Sequence, residues 1–170
     1  ISMAFSLKGV HVPHRKNTAD MSPVKMEAPG SVIIPTSMHI GAPAVPVVKK
    51  GDKVNVGTLI AEAGNGLSSP IYSGVSGTVS GITDLLMADG KTVPAITIES
   101  DGEQTVCETV APPTINDKAE LIKAIKDSGI VGLGGAGFPT YAKFTTDKKI
   151  ETLIINGAEC EPYITSDSIT

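Results

Sequence analysis

From Ser31 to about Glu108 the chain alternates short apolar runs with turn formers. Val32-Ile33-Ile34, Val45 to Val48, Thr58 to Ala61, Gly77 to Ile82 and Ala95 to Ile98 are rich in β-branched or small apolar residues. Gly41, Pro43, Gly51-Asp52, Gly64-Asn65-Gly66, Gly74, Asp89-Gly90 and Asp101-Gly102 bound them. Branched side chains suit a pleated surface, and these turn residues reverse the chain between strands. No run of helical period interrupts the pattern. It predicts a small all-β sandwich or barrel over residues 31–110.

The flanks read differently. Residues 1–30 are polar and punctuated by proline, which predicts an extended arm lying along something else. Met3 reads as the natural start. Pro112-Pro113 reads as a linker, and a second domain is expected over 114–170. Asp117 and Glu120 have the spacing of a capping box, with Asp in place of the usual Ser or Thr. Leu121, Ile122 and Ile125 then form an apolar stripe and Gly129 supplies a stop, so a helix is predicted from Lys118 to Ser128. A glycine-rich loop, Gly132 to Gly137, follows, then a polar stretch holding Lys143. Thr152 to Ile155 reads as a buried strand running into Asn156-Gly157. Helix, loop and strand look like the opening of an α/β domain, and Thr170 comes before enough strands have appeared to close a sheet. That reads as a fragment. The fold class expected is mixed α+β: a β module, then the start of an α/β domain.

Composition narrows the function. The net charge is −4, 19% of residues are charged, and there are three Phe, three Tyr and no Trp. No basic stripe or stacking platform favours nucleic acid. No apolar run approaches the roughly 20 residues that span a bilayer, and no signal peptide is legible. Cys107 and Cys160 form no C-x-x-C and hold no metal or cluster by themselves; reduced thiols are expected. His11 and His14 flank Pro13, which splays their rings, so no metal site is expected there.

The run Val47 to Glu62, with Ser69-Pro70 and Val75 to Val79, resembles the biotinyl and lipoyl carrier domains, whose fold is a barrel-sandwich hybrid. A carrier displays one lysine at a hairpin tip. The matching stretch here, Ala63 to Ser68, has no lysine, and without an amine nothing is acylated. Val24-Lys25-Met26-Glu27 looks like a biotinylation sequence but lies in the arm. A scaffold role fits the module better than a carrier role.

Gly132-Leu133-Gly134-Gly135-Ala136-Gly137 satisfies G-x-G-x-x-G, yet a helix rather than a strand precedes it, so it is no dinucleotide fingerprint. Phe138 stands where a P-loop needs lysine. What survives is physical: dense glycine lets successive backbone N–H groups converge on an anion, with Lys143 near enough in sequence to pair with a phosphate. A plain tight turn is the competing reading. The longer run Gly132 to Thr140, with Lys143, resembles the flavin loop of the NADH-oxidising subunit of respiratory complex I. So does Leu153 to Pro162, in the same order.

That resemblance implies FMN contacts at Gly132, Gly134, Gly135, Gly137, Lys143, Asn156 and Glu159, and NADH contacts at Phe138 and Glu161. Two positions depart from it: Leu133 replaces an arginine and Ala158 an aspartate. Both match the C subunit of Rnf-type electron transport complexes, as do Leu7 to Pro13 and Pro35 to Pro43. This second resemblance covers nearly the whole chain. It implies a peripheral subunit on the cytoplasmic face of the membrane, passing electrons between NADH, FMN and iron–sulfur clusters, with 4Fe-4S clusters in a C-terminal region beyond these residues. Its partners would be other complex subunits, and it would touch the membrane only through them. Cluster ligation needs cysteine runs that this sequence lacks, so the piece alone is expected to be inactive. The rival readings are a non-catalytic docking module and a related flavoprotein such as a cobalamin reductase.

Overall fold

The computed structural model describes residues 13, 15–155 and 163. Residues 27–147 form one compact unit; residues 1–26 and 148–170 group as a second.

Within the first unit, seven strands make two antiparallel sheets. One sheet has the order β1-β7-β6-β3, from Ser31–Pro35, Thr92–Ser100, Gly77–Leu86 and Lys53–Val54. The other is β2-β4-β5, from Val45–Pro46, Leu59–Glu62 and Ile71–Tyr72. All five predicted β segments are strands. The two that pattern missed, β3 and β5, are two residues each. Alternation explains the burial: in β7, Ile96 and Ile98 point inward while Thr97 and Glu99 do not. Ile96, Ile98, Val79, Val54 and Val75 meet Ile60, Ala61 and Ile71 in one core. Each fully buried isoleucine contributes about 1.5–3 kcal/mol through removal from water. The β6–β7 hairpin is the longest element, with a register shift between Val79 and Gly81, and its tip lies at Met87–Lys91.

The stretch that corresponds to a carrier's tip, Ala63 to Ser68, is fastened down. Ser68 is fully buried; its hydroxyl donates to the Ala42 carbonyl at 2.8 Å and accepts from Gly64 N–H at 2.8 Å. Ala42 N–H donates to the Leu67 carbonyl at 2.9 Å. The segment between β1 and β2, residues 36–44, therefore acts as a strap across this loop.

Helix α1 runs Lys118–Asp127, as the pattern predicted to within a residue. Asp117 accepts from Glu120 N–H at 2.8 Å. The return half of the box lands one residue early: Glu120 Oε2 accepts from Asn116 N–H at 2.7 Å. Gly129, at φ +71°, ends the helix in the left-handed region. The helix end is tied to β5, where the Tyr72 hydroxyl donates to the Asp127 carbonyl. A second helix, α2, Tyr141–Phe144, occupies what sequence treated as a polar stretch.

The described part of the other unit has no regular elements. Residues 17–20 form a turn, and most side chains between Arg15 and Met26 are exposed. The expectation of a buried strand at Thr152–Ile155 is overturned: the segment has no strand structure, and Ile154 is 84% exposed. A strand needs a ladder partner, and no described residue pairs with it.

Candidate functional site: a cleft under the glycine loop

The glycine loop is a turn closed at its base. Val131 and Pro139 form an antiparallel bridge, Gly132 N–H donates to the Phe138 carbonyl at 3.0 Å, and Thr140 N–H donates to the Ile130 carbonyl at 3.0 Å. Among the described residues, the N–H groups of Leu133 to Gly137 make no backbone hydrogen bond of normal geometry. A side chain at Gly134 or Gly135 would stand in open space. Backbone there is accessible to a ligand.

The loop is seated on the β module. Gly137 is buried at φ +66°, and its carbonyl accepts from Ile40 N–H at 3.2 Å. A methyl group added at Gly137 would lie 2.6 Å from the Met38 carbonyl oxygen and 2.9 Å from His39 Cα. Glycine is required there by both conformation and space. The strap beneath is itself anchored, because the buried His39 ring meets Ser69 and Ile40 backbone atoms at 3.2 Å on its two nitrogens.

Loop, strap and the β6–β7 hairpin tip enclose an open cleft of about 560 Å³, within the range of ligand sites. Gly132, Gly135 and Gly137 line it, with Met38 and His39 from the strap and Asp89 and Lys91 from the hairpin. Gly134 sits in the turn. Phe138 and Lys143 pair with each other instead: Lys143 Nζ, on α2, lies 5.9 Å over the Phe138 ring, a cation–π contact. Lys143 does not line the cleft. Asn156, Glu159 and Glu161 lie outside the described residues, as do Cys160, His11 and His14. No group of three or more potential metal ligands occurs among the described residues.

The sequence reading missed Lys91, Asp89 and His39 as site residues. The two hairpin residues lie far upstream of the loop and carry no local signal. The strap did carry one, since His39-Ile40-Gly41-Ala42-Pro43 formed part of the family resemblance.

Two facing sheets with a strapped-down tip define a barrel-sandwich hybrid protein, here joined to a glycine loop that opens a flavin-type domain. A family model described as the RnfC barrel sandwich hybrid domain matches residues 5–103, and one described as the Nuo51 FMN-binding domain matches residues 125–170. The chain belongs to the RnfC family. It is 44% identical over 165 residues to the C subunit of the Na(+)-translocating ferredoxin:NAD(+) oxidoreductase complex of Acetobacterium woodii, covering 94% of this chain and 37% of that protein. The proton-translocating counterpart of Clostridium ljungdahlii is 42% identical over 166 residues, covering 94% and 36%. The C subunit of the ion-translocating oxidoreductase complex of Serratia proteamaculans is 40% identical over 165 residues, covering 94% and 23%. The chain thus spans much less than half the length of these relatives. No helix among the described residues is long and apolar enough to cross a membrane.

Proposed function

We propose that this chain is part of the electron-transfer subunit of a ferredoxin:NAD oxidoreductase complex, and that its glycine loop helps hold FMN. The observation that carries the reading is the match of the FMN-binding family model across residues 125–170, the segment that contains the loop. The described geometry fits the phosphate end of that cofactor: open backbone N–H groups on an accessible turn, over a cleft of suitable volume. In this reading Gly132, Gly134, Gly135 and Gly137 offer backbone to the phosphate and ribityl chain, and Lys143 is a further FMN contact, reached from its place over Phe138. Asn156 and Glu159 hold the flavin. Phe138 and Glu161 approach NADH.

When bound, FMN supplies the exchange between two-electron chemistry with NADH and one-electron chemistry with iron–sulfur centres. The chain's own task is positional. The strap fixes the loop through Ile40 and Gly137, so its backbone dipoles are set before a ligand arrives. The clusters belong to sequence outside these residues, because Cys107 and Cys160 form no ligation run. Partners are the other subunits, and contact with the cytoplasmic face of the membrane runs through them.

The test is the visible spectrum of the full-length protein supplied with FMN. Bound flavin that NADH bleaches is the expected result. Full-length protein that neither retains nor rebinds FMN would refute the reading and leave a docking module.

A further inference from the structure

The glycine loop brings only apolar side chains and backbone to its cleft. Leu133, at the turn of the loop, is 95% exposed and carries no charge. A phosphate resting on backbone N–H groups there needs a countercharge from elsewhere, and the opposite wall has one. Lys91, at the tip of the β6–β7 hairpin, is the one lysine or arginine lining the cleft among the described residues. Lys143, close to the loop in sequence, is over Phe138 instead.

The tip is built to hold its backbone still while leaving the ammonium free to move. Met87 N–H donates to the Lys91 carbonyl at 2.8 Å, Gly90 N–H to the Met87 carbonyl at 3.0 Å, and Lys91 N–H to Asp89 Oδ1 at 3.0 Å. Lys91 Nζ also lies 3.0 Å from Asp89 Oδ2, with both side chains more than half exposed. So open an ion pair is held weakly. Asp89 lines the same cleft and opposes an anion there, but an incoming phosphate, with more charge and more acceptor oxygens than a carboxylate, can share the mobile ammonium with it.

We propose that Lys91 of the β module is the cation for a phosphate group bound in this cleft, so the site takes from the hairpin the charge that the glycine loop itself lacks. The inference rests on the glycine loop being a phosphate-holding loop. The group is either the monophosphate of FMN or the diphosphate of a nicotinamide dinucleotide; the chemistry is shared and the test separates them.

Full-length protein stripped of flavin is compared as wild type, Lys91→Met, Lys91→Arg and Lys50→Met, the last an exposed lysine on a distant turn. Affinities are measured for FMN, riboflavin and ADP-ribose. If FMN weakens about tenfold in Lys91→Met while riboflavin holds, Lys91 serves the flavin phosphate. If ADP-ribose weakens and FMN holds, it serves the dinucleotide. In either case Lys91→Arg restores most of the affinity, and the gap between wild type and Lys91→Met narrows as salt rises. Wild type that binds FMN while Lys91→Met matches Lys50→Met for all three ligands overturns the proposal and spares the flavin reading. Equal weakening of FMN and riboflavin also overturns it, because the effect then bypasses phosphate. Wild type that binds neither FMN nor ADP-ribose overturns both.

Discussion

Replacing Gly137 by alanine strikes the joint between glycine loop and strap without touching the β core. Two costs combine. At φ +66° an alanine sits in the left-handed region, which costs roughly 1–2 kcal/mol for an L residue. The new methyl group would also stand 2.6 Å from one backbone atom and 2.9 Å from another. Backbone cannot swing aside as a side chain tip does, so overpacking adds about 1–2 kcal/mol, the lower part of its usual range. The loop should therefore unseat more readily by about 2–4 kcal/mol, or about 30- to 900-fold at 1.36 kcal/mol per decade. The Ile40 amide reports this directly, because its hydrogen bond is to Gly137 and its exchange tracks the unseated population. Gly135→Ala is the internal control: φ there is not positive, and nothing lies within 4 Å of the added carbon. Exchange at Ile40 should rise steeply in Gly137→Ala, up to the limit of an unprotected amide, and barely change in Gly135→Ala. FMN affinity of the full-length protein should fall in parallel. Equal Ile40 exchange in the two variants would refute the claim that the strap holds the loop.

Three further outcomes are expected. Ile98 is fully buried and is paired with Val32 on one side and Val79 on the other; Ile98→Ala should cost about 2–5 kcal/mol, read as a lowered denaturation midpoint. Burial, and then the Asp127 carboxylate, raise the pKa of Tyr72 above its ordinary 10.0. Its hydroxyl thus contributes stability that is complete below pH 10 and is lost as pH rises through the raised value, so melting points taken from pH 9 to 11 should fall more in wild type than in Tyr72→Phe. The Cys107 thiol is held below its ordinary range, first by the Thr109 hydroxyl 3.1 Å away and then by the Thr109 backbone N–H. Alkylation of the Cys107 peptide, followed by mass spectrometry, should therefore begin at lower pH in wild type than in Thr109→Val; coincident pH profiles would dismiss the hydroxyl's part.

Much of the β module was legible because strand pattern and turn chemistry are local. Val32 to Ile34 and Ala95 to Ile98 declare themselves by branching, and Asp117 with Glu120 marks a helix start. Lys53–Val54 and Ile71–Tyr72 were illegible since two residues carry no period; their pairing with Gly77–Thr78 and with Leu59 and Ala61 makes them strands. Thr152–Ile155 failed for the converse reason: its branched residues have the right composition, but a strand exists only where another backbone accepts it. The site divides the same way. Glycine density announced the loop, whereas its seat on Met38 and His39 and the cleft it shares with Lys91 bring together distant segments, which no local window contains.

The strapped tip at Ala63–Ser68 bears on how distance is managed. In a carrier domain the corresponding hairpin is a crane: it stands clear of the body so that a tethered group can travel between stations. Here Ser68 bolts that hairpin to Ala42, and the same strap, slightly earlier in the chain, supports the glycine loop through Met38 and His39. Crane has become buttress. For the electron-transfer role proposed here, fixed separations matter where group transfer rewards reach, and an architecture suited to reach is locked at the very place from which its arm would have swung.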